Sequence, residues 1–148
     1  MIARPAGSPP VRTIMRWALA ALYFAAGIAH LGTPEPFLRI MPDWVPWPES
    51  VVALTGVAEL LGAVALVQPW AMRLRQAAGI GLAIYALCVW PANIHHMTMD
   101  LARPEDDGWG LTYHVPRMLL QPVLIWLALW AGEVIGPAKP RNGPRRNR

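Results

Sequence analysis

The sequence predicts an all-α integral membrane protein, a four-helix bundle whose helices cross the bilayer. Hydrophobic residues make up 55% of the 148 residues and charged residues only 15%, against about 25% charged in an average soluble domain. Four stretches, about residues 13–31, 51–70, 77–97 and 116–134, are long enough to span a bilayer, which takes about 20 mostly apolar residues per helix. They lack the polar stripe of a soluble amphipathic helix: residues 51–67 hold one charged residue and residues 77–89 none. A chain this short cannot bury four such helices in water. Extended disorder is excluded by the same composition. The single Cys88 excludes an intrachain disulfide, self-contained dithiol chemistry and a cysteine-based zinc site.

Charge placement orients the spans. Residues 1–12 form a basic N-terminal segment, and Arg4, Arg12 and Arg16 precede or open the first span without an acid. The first connection carries Glu35, Asp43 and Glu49 against Arg39, the second Arg73 and Arg75 alone, and the third Asp100, Glu105, Asp106 and Asp107 against Arg103 and Arg117. Basic side chains thus alternate sides, which places both termini in the cytoplasm and both acidic connections outside. Residues 13–134 form the membrane domain, and residues 135–148 a disordered basic cytoplasmic tail. That tail holds Lys139, Arg141, Arg145, Arg146 and Arg148. It has no aromatic residue on which a base would stack, so it reads as an address or a lipid contact and not as a nucleic-acid site. The first span has a basic start and small residues like a signal peptide, but its apolar core is long and it is read as retained.

The first connection is predicted to form a structured interfacial segment. Pro34, Pro36, Pro42, Pro46 and Pro48 forbid a long helix, leaving one turn that presents Phe37, Leu38, Ile40 and Met41. Trp44, Trp47 and Trp109 fall at the outer boundary and Trp17, Trp70 and Trp130 at the inner one, as membrane-interface anchors do. The tract from 98 to 110 reads as polar and mobile. Pro91 and Pro122 interrupt spans and are expected to kink or loosen them, while Pro116 is placed in the first turn of the fourth helix.

Polar residues inside spans are expensive and are where function is sought. Glu59 lies eight residues beyond Val51, roughly 12 Å into its helix at 1.5 Å per residue. Gly56 and Gly62 flank it at i−3 and i+3, and small residues admit a second helix, so Glu59 is expected to face the bundle interior. His30 ends the first helix, Asn93, His95 and His96 end the third, and His114, Arg117 and Gln121 begin the fourth. The topology brings these to one outer layer, with Glu59 beneath. The candidate pocket is therefore His30, Glu59, Asn93, His96, Arg117 and Gln121. Each has a plain structural reading too. His30 caps its helix, one of His95 and His96 faces solvent, and His114 is exposed. Arg117 pairs with Glu59 or an outer-loop acid, and Asn93 and Gln121 bond helices together. No metal site is expected, because no two histidines stand at i, i+4 and there is no HExxH. Haem held by His30 and His96 is the weaker cofactor alternative. Ser8 and Ser50 have no nucleophile-elbow context.

The segments AAGIAHLGTPEPFLRIMPDWVPWP, TGVAELLGAVALV, WPANIHH and PRMLLQPVLIWLALW, in this order over about residues 14–131, resemble the DoxX-like family of small four-helix bacterial membrane proteins. The likeness attaches to Gly27, His30, Pro42, Pro46, Gly56, Glu59, Pro91, Ala92, Asn93, Arg117 and Gln121. It implies a multi-pass protein of the bacterial inner membrane, and its founding members are similar to the membrane subunit of thiosulfate:quinone oxidoreductase. The chain departs from that branch in having no cysteine pair. The expectation is a redox-associated subunit that binds a quinone head group in the outer-half pocket, beside a redox partner protein or a second copy. The alternative is a non-catalytic accessory protein that stabilises or localises a partner.

Overall fold

The computed structural model describes residues 10–103 and 108–136. Glu105, Asp106 and Asp107, most of the basic N-terminal segment and the basic tail beyond residue 136 lie outside the described residues. The fold is all-helical, with α1 (Pro10–Gly32), α2 (Glu35–Leu38), α3 (Pro48–Val67), α4 (Met72–Leu101) and α5 (Gly110–Ala131). Three of these, α1, α3 and α4, are long and apolar enough to cross a membrane. The fourth long helix, α5, carries His114, Pro116, Arg117, Gln121 and Pro122, which dilute its apolar character.

Local chemistry sets the boundaries. Proline opens α1 and α3, where its fixed φ is helical and its missing N–H leaves no donor stranded. Trp47, before α3, holds φ 47°, in the left-handed region, and turns the interfacial segment into the helix. Gln68 ends α3 and shapes the turn into α4: its Oε1 accepts from the Trp70 and Ala71 amides at 3.0 and 2.8 Å, and its Nε2 donates to the Ala71 carbonyl at 2.7 Å. This turn, not residue 70, is where the second apolar stretch stops.

α4 is longer than its apolar stretch. Its 30 residues extend about 45 Å at 1.5 Å each, against a hydrocarbon thickness of about 30 Å. Nothing in residues 98–101 breaks a helix, so the tract expected to be mobile is helical as far as Leu101. α4 continues through Pro91, and α5 through Pro116 and Pro122. α5 begins at Gly110, so Pro116 sits in its second turn and not its first.

Packing runs α1 on α3, α3 on α4, α4 on α5 and α5 back on α1, with α2 against α3. The core joins Leu19, Ala20 and Tyr23 of α1, Ala63 and Leu66 of α3, Ala78, Leu82 and Ala83 of α4, and Ala128 and Ala131 of α5. Glycines set the closest approaches. A Cβ on Gly27 would lie 2.8 Å from the Gly56 carbonyl oxygen, and one on Gly79 2.8 Å from that of Ala128. Large apolar side chains such as Leu22, Leu54, Leu61, Ile84 and Leu119 point outward. In water this would be an aggregating surface, and in lipid it is a solvated one.

Candidate functional site

Three polar clusters interrupt this apolar body. The first lies where α1 and α4 approach their C-termini and α5 begins. The α1–α3 crossing at Gly27 and Gly56 brings His30 over Glu59, with His30 Nδ1 3.0 Å from Glu59 Oε2. Nδ1 is also 2.9 Å from the Ala26 carbonyl, where its hydrogen is better aligned, so Glu59 Oε2 keeps unused hydrogen-bonding capacity. Glu59 is 3% exposed and also meets the Tyr85 hydroxyl. Phe37 of α2 stacks on His30 with ring centroids 3.7 Å apart, so the interfacial turn closes over the pair.

Two adjoining cavities surround these residues. One of ≈ 520 Å³ lies beneath the interfacial segment, with Phe37, Ile40, Met41, Pro42 and Trp44 on one side and Val89, Pro91 and Ala92 of α4 on the other. The second, ≈ 340 Å³, reaches Glu59 and Gln121. His30, Tyr85, Val89, Asn93 and Arg117 line both. Asn93 and Gln121 are buried, and Gln121 Oε1 has no partner. Among the described residues no carboxylate lies within ion-pairing distance of Arg117, so the expected pair with Glu59 does not form. Instead, Arg117 Nη1 donates to His96 Nδ1 at 2.6 Å, and its guanidinium lies 5.7 Å from the centre of the Tyr113 ring. Of the candidate pocket, His30, Glu59, Asn93, Arg117 and Gln121 line the cavities, while His96 holds Arg117. Gly56 faces His30, whereas Gly62 faces Leu82 of α4, so the glycines flanking Glu59 serve different neighbours.

The second cluster is Asp100 with His114. His114 is 0% exposed, a correction to its expected exposure, because α5 starts four residues before it. Asp100 is 3% exposed, as deep as Glu59. Its Oδ2 accepts from His114 Nε2 at 3.1 Å and from the Trp109 and Gly110 amides at 2.8 and 3.1 Å. One carboxylate thus caps α5 and ties its N-terminus to α4. His96, one turn before Asp100, stands edge-on to His114 with centroids 5.0 Å apart. The i, i+4 pair His96 and Asp100 is readable in the sequence, but the expectation of no metal site rests on pairs of histidines alone.

The third cluster lies at the opposite end. Arg12, Arg16 and Arg75 are 7%, 6% and 9% exposed, so they are more than flank charges. Arg16 Nε donates to the Ala131 carbonyl at 2.9 Å, and Arg16 and Arg75 reach Glu133 Oε1 at 2.5 and 3.1 Å. Arg75 Nη2 also donates to the Gln68 carbonyl at 2.7 Å. Glu133 holds φ 61° just past α5, and Val134 N–H returns to the Leu129 carbonyl at 2.9 Å. This is a Schellman closure, with glutamate where glycine is usual. Trp130, expected only as an anchor, stacks on Trp126 and lies beneath Arg12.

Together these features define a class: an all-helical protein with helices fit to span a membrane and a cavity walled by histidine, asparagine, tyrosine and arginine. The chain belongs to the family described as Domain of unknown function (DUF8561), which matches residues 19–132. No curated protein and no solved structure matches it.

Proposed function

We propose that the chain is a DoxX-like protein of the bacterial inner membrane, a four-span bundle with both termini cytoplasmic, and that its outer-half cavities bind a quinone as part of a redox-associated complex. The observation that carries this reading is the wall common to both cavities, where His30, Tyr85, Asn93 and Arg117 converge. A quinone ring needs donors for two carbonyl oxygens and an apolar channel for its tail. Arg117 and Asn93 supply donors, and Ile40, Met41, Val45 and Val89 supply apolar surface. The larger cavity, ≈ 520 Å³, falls within the range of about 300–1,000 Å³ usual for small-ligand sites. Reduction to quinol takes two electrons, which a redox partner protein delivers, and two protons. Glu59, beside His30 and Tyr85, is placed to hold and pass a proton.

The test is purification in mild detergent, followed by solvent extraction and mass spectrometry for quinone. Quinone is expected to co-extract at near one per chain, and Arg117→Leu is expected to remove it without unfolding the protein. A ligand-free extract, with added quinone failing to quench tryptophan fluorescence, refutes the reading. An accessory role has one observation in its favour: Trp44 and Trp47, 73% and 78% exposed on the interfacial segment, form a surface for a partner. A stoichiometric partner that stays bound in Arg117→Leu supports that alternative.

A further inference from the structure

We propose that His96, Asp100 and His114 form a site for a divalent transition-metal ion, which binds by displacing the Arg117 guanidinium from His96. Each residue offers one ligand atom, and the three atoms lie within 4.8 Å of one another. Two nitrogens and one carboxylate oxygen suit zinc, iron or copper, whereas magnesium and calcium prefer all-oxygen shells. The set is built into the fold. His96 and Asp100 share a face of α4 one turn apart, and α5 delivers His114 against them.

A buried atom points to a ligand. Asp100 Oδ1 has no hydrogen-bond partner, although Asp100 is 3% exposed. Nε2 of His114 stands 3.1 Å from Asp100 Oδ2, a separation that two atoms on one ion can share. A cation takes the place of the hydrogen between them, and the ring proton passes to Nδ1.

His96 explains the exchange with Arg117. A guanidinium only donates, so Nδ1 of His96, 2.6 Å from Arg117 Nη1, is the acceptor, and the ring proton is on Nε2. The lone pair a metal needs is the one Arg117 holds. A cation takes it by releasing Arg117, which already lines the two cavities. Metal occupancy and the positive charge of the cavity wall are therefore linked, whatever ligand the cavity takes.

The full chain, purified without a polyhistidine tag and stripped with chelator, is titrated with Zn²⁺ by calorimetry and with Co²⁺ by visible absorption. One Zn²⁺ per chain and cobalt ligand-field bands are expected, with millimolar Ca²⁺ failing to compete. Asp100→Asn weakens binding by at least about a hundredfold, the upper end of what loss of an outer-shell partner costs, because here a charged ligand is lost. Arg117→Met tightens it by about tenfold, because a competing positive charge is gone. His96→Ala, at a half-buried position, gives the same loss as Asp100→Asn if the latter does not fold. Absence of stoichiometric binding and of cobalt bands by the wild-type chain overturns the proposal. So does affinity unchanged in both His96→Ala and Asp100→Asn, or weakened in Arg117→Met.

Discussion

The crossing of α1 and α3 makes a sharp prediction for Gly27→Ala and Gly56→Ala. A Cβ on Gly27 lies 2.8 Å from the Gly56 carbonyl oxygen and 2.8 Å from Leu60 Cγ, whereas ordinary contact begins at 3.4 Å. The shortfall is about 0.6 Å, and the first obstacle is backbone, so the helices themselves must separate. A Cβ on Gly56 meets His30 Cβ at 2.8 Å and the Gly27 carbonyl oxygen at 3.1 Å, pressing on the site directly. Overpacking of this kind costs about 1–3 kcal/mol, or about 2–4 °C of melting temperature per kcal/mol at this chain length. Gly32 and Gly81 are internal controls, because a Cβ on either meets nothing within 4 Å. Gly81→Ala is expected to stabilise by up to about 1 kcal/mol through helix propensity. The assay is thermal unfolding in detergent, followed by tryptophan fluorescence. Gly27→Ala and Gly56→Ala melting as high as Gly81→Ala would falsify the close-crossing argument.

Three other outcomes follow from the polar clusters. His30→Ala leaves Glu59 with Tyr85 as its polar neighbour and removes the ring that Phe37 stacks on, and is expected to cost about 1–3 kcal/mol, more than Glu59→Gln, which keeps the volume; chemical denaturation in mixed micelles ranks the two. Glu133→Gly removes about 1–2 kcal/mol of left-handed strain but abandons Arg16 and Arg75, worth about 3–5 kcal/mol. The net is a loss of roughly 1–4 kcal/mol, and a rise in melting temperature would show that the ion pairs contribute little. Asp100→Ala releases the Trp109 and Gly110 amides, so hydrogen exchange at residues 109–114 is expected to accelerate while residues 121–131 stay protected. Equal acceleration along α5 would mean that Asp100 holds the whole helix and not its end.

Much of the polar layer was legible because depth can be counted along a helix. Glu59 is fixed by its distance from Val51, and His30 by its place near the end of an apolar run. Which groups meet is a matter of helix rotation and crossing, and no periodicity states that Gly56 faces α1 while Gly62 faces α4. Arg117 accordingly bonds His96 and not Glu59. Asp100 was misread because hydropathy falls after Met97, whereas helix formation depends on the absence of breakers and on the cap Asp100 gives to α5. His114 followed the same error, since its burial depends on where α5 begins. Arg12, Arg16 and Arg75 look like flank charges because sequence cannot reveal partners as distant as the Ile135 and Ala131 carbonyls and the Glu133 carboxylate.

The span of the Arg16–Ala131 contact has a consequence for biogenesis. Chains emerge at about 5–20 residues per second, so the 115 residues between these partners impose a wait of roughly 6–23 s on the ribosome. Throughout that interval the arginines of α1 have neither Glu133 nor the end of α5 to meet, and must remain in water or among lipid headgroups. Of the described long helices, α1 is thus made before the others and sealed last. A chain stopped before residue 131 should stay open to protease at its N-terminal end, however well its three earlier long helices have assembled.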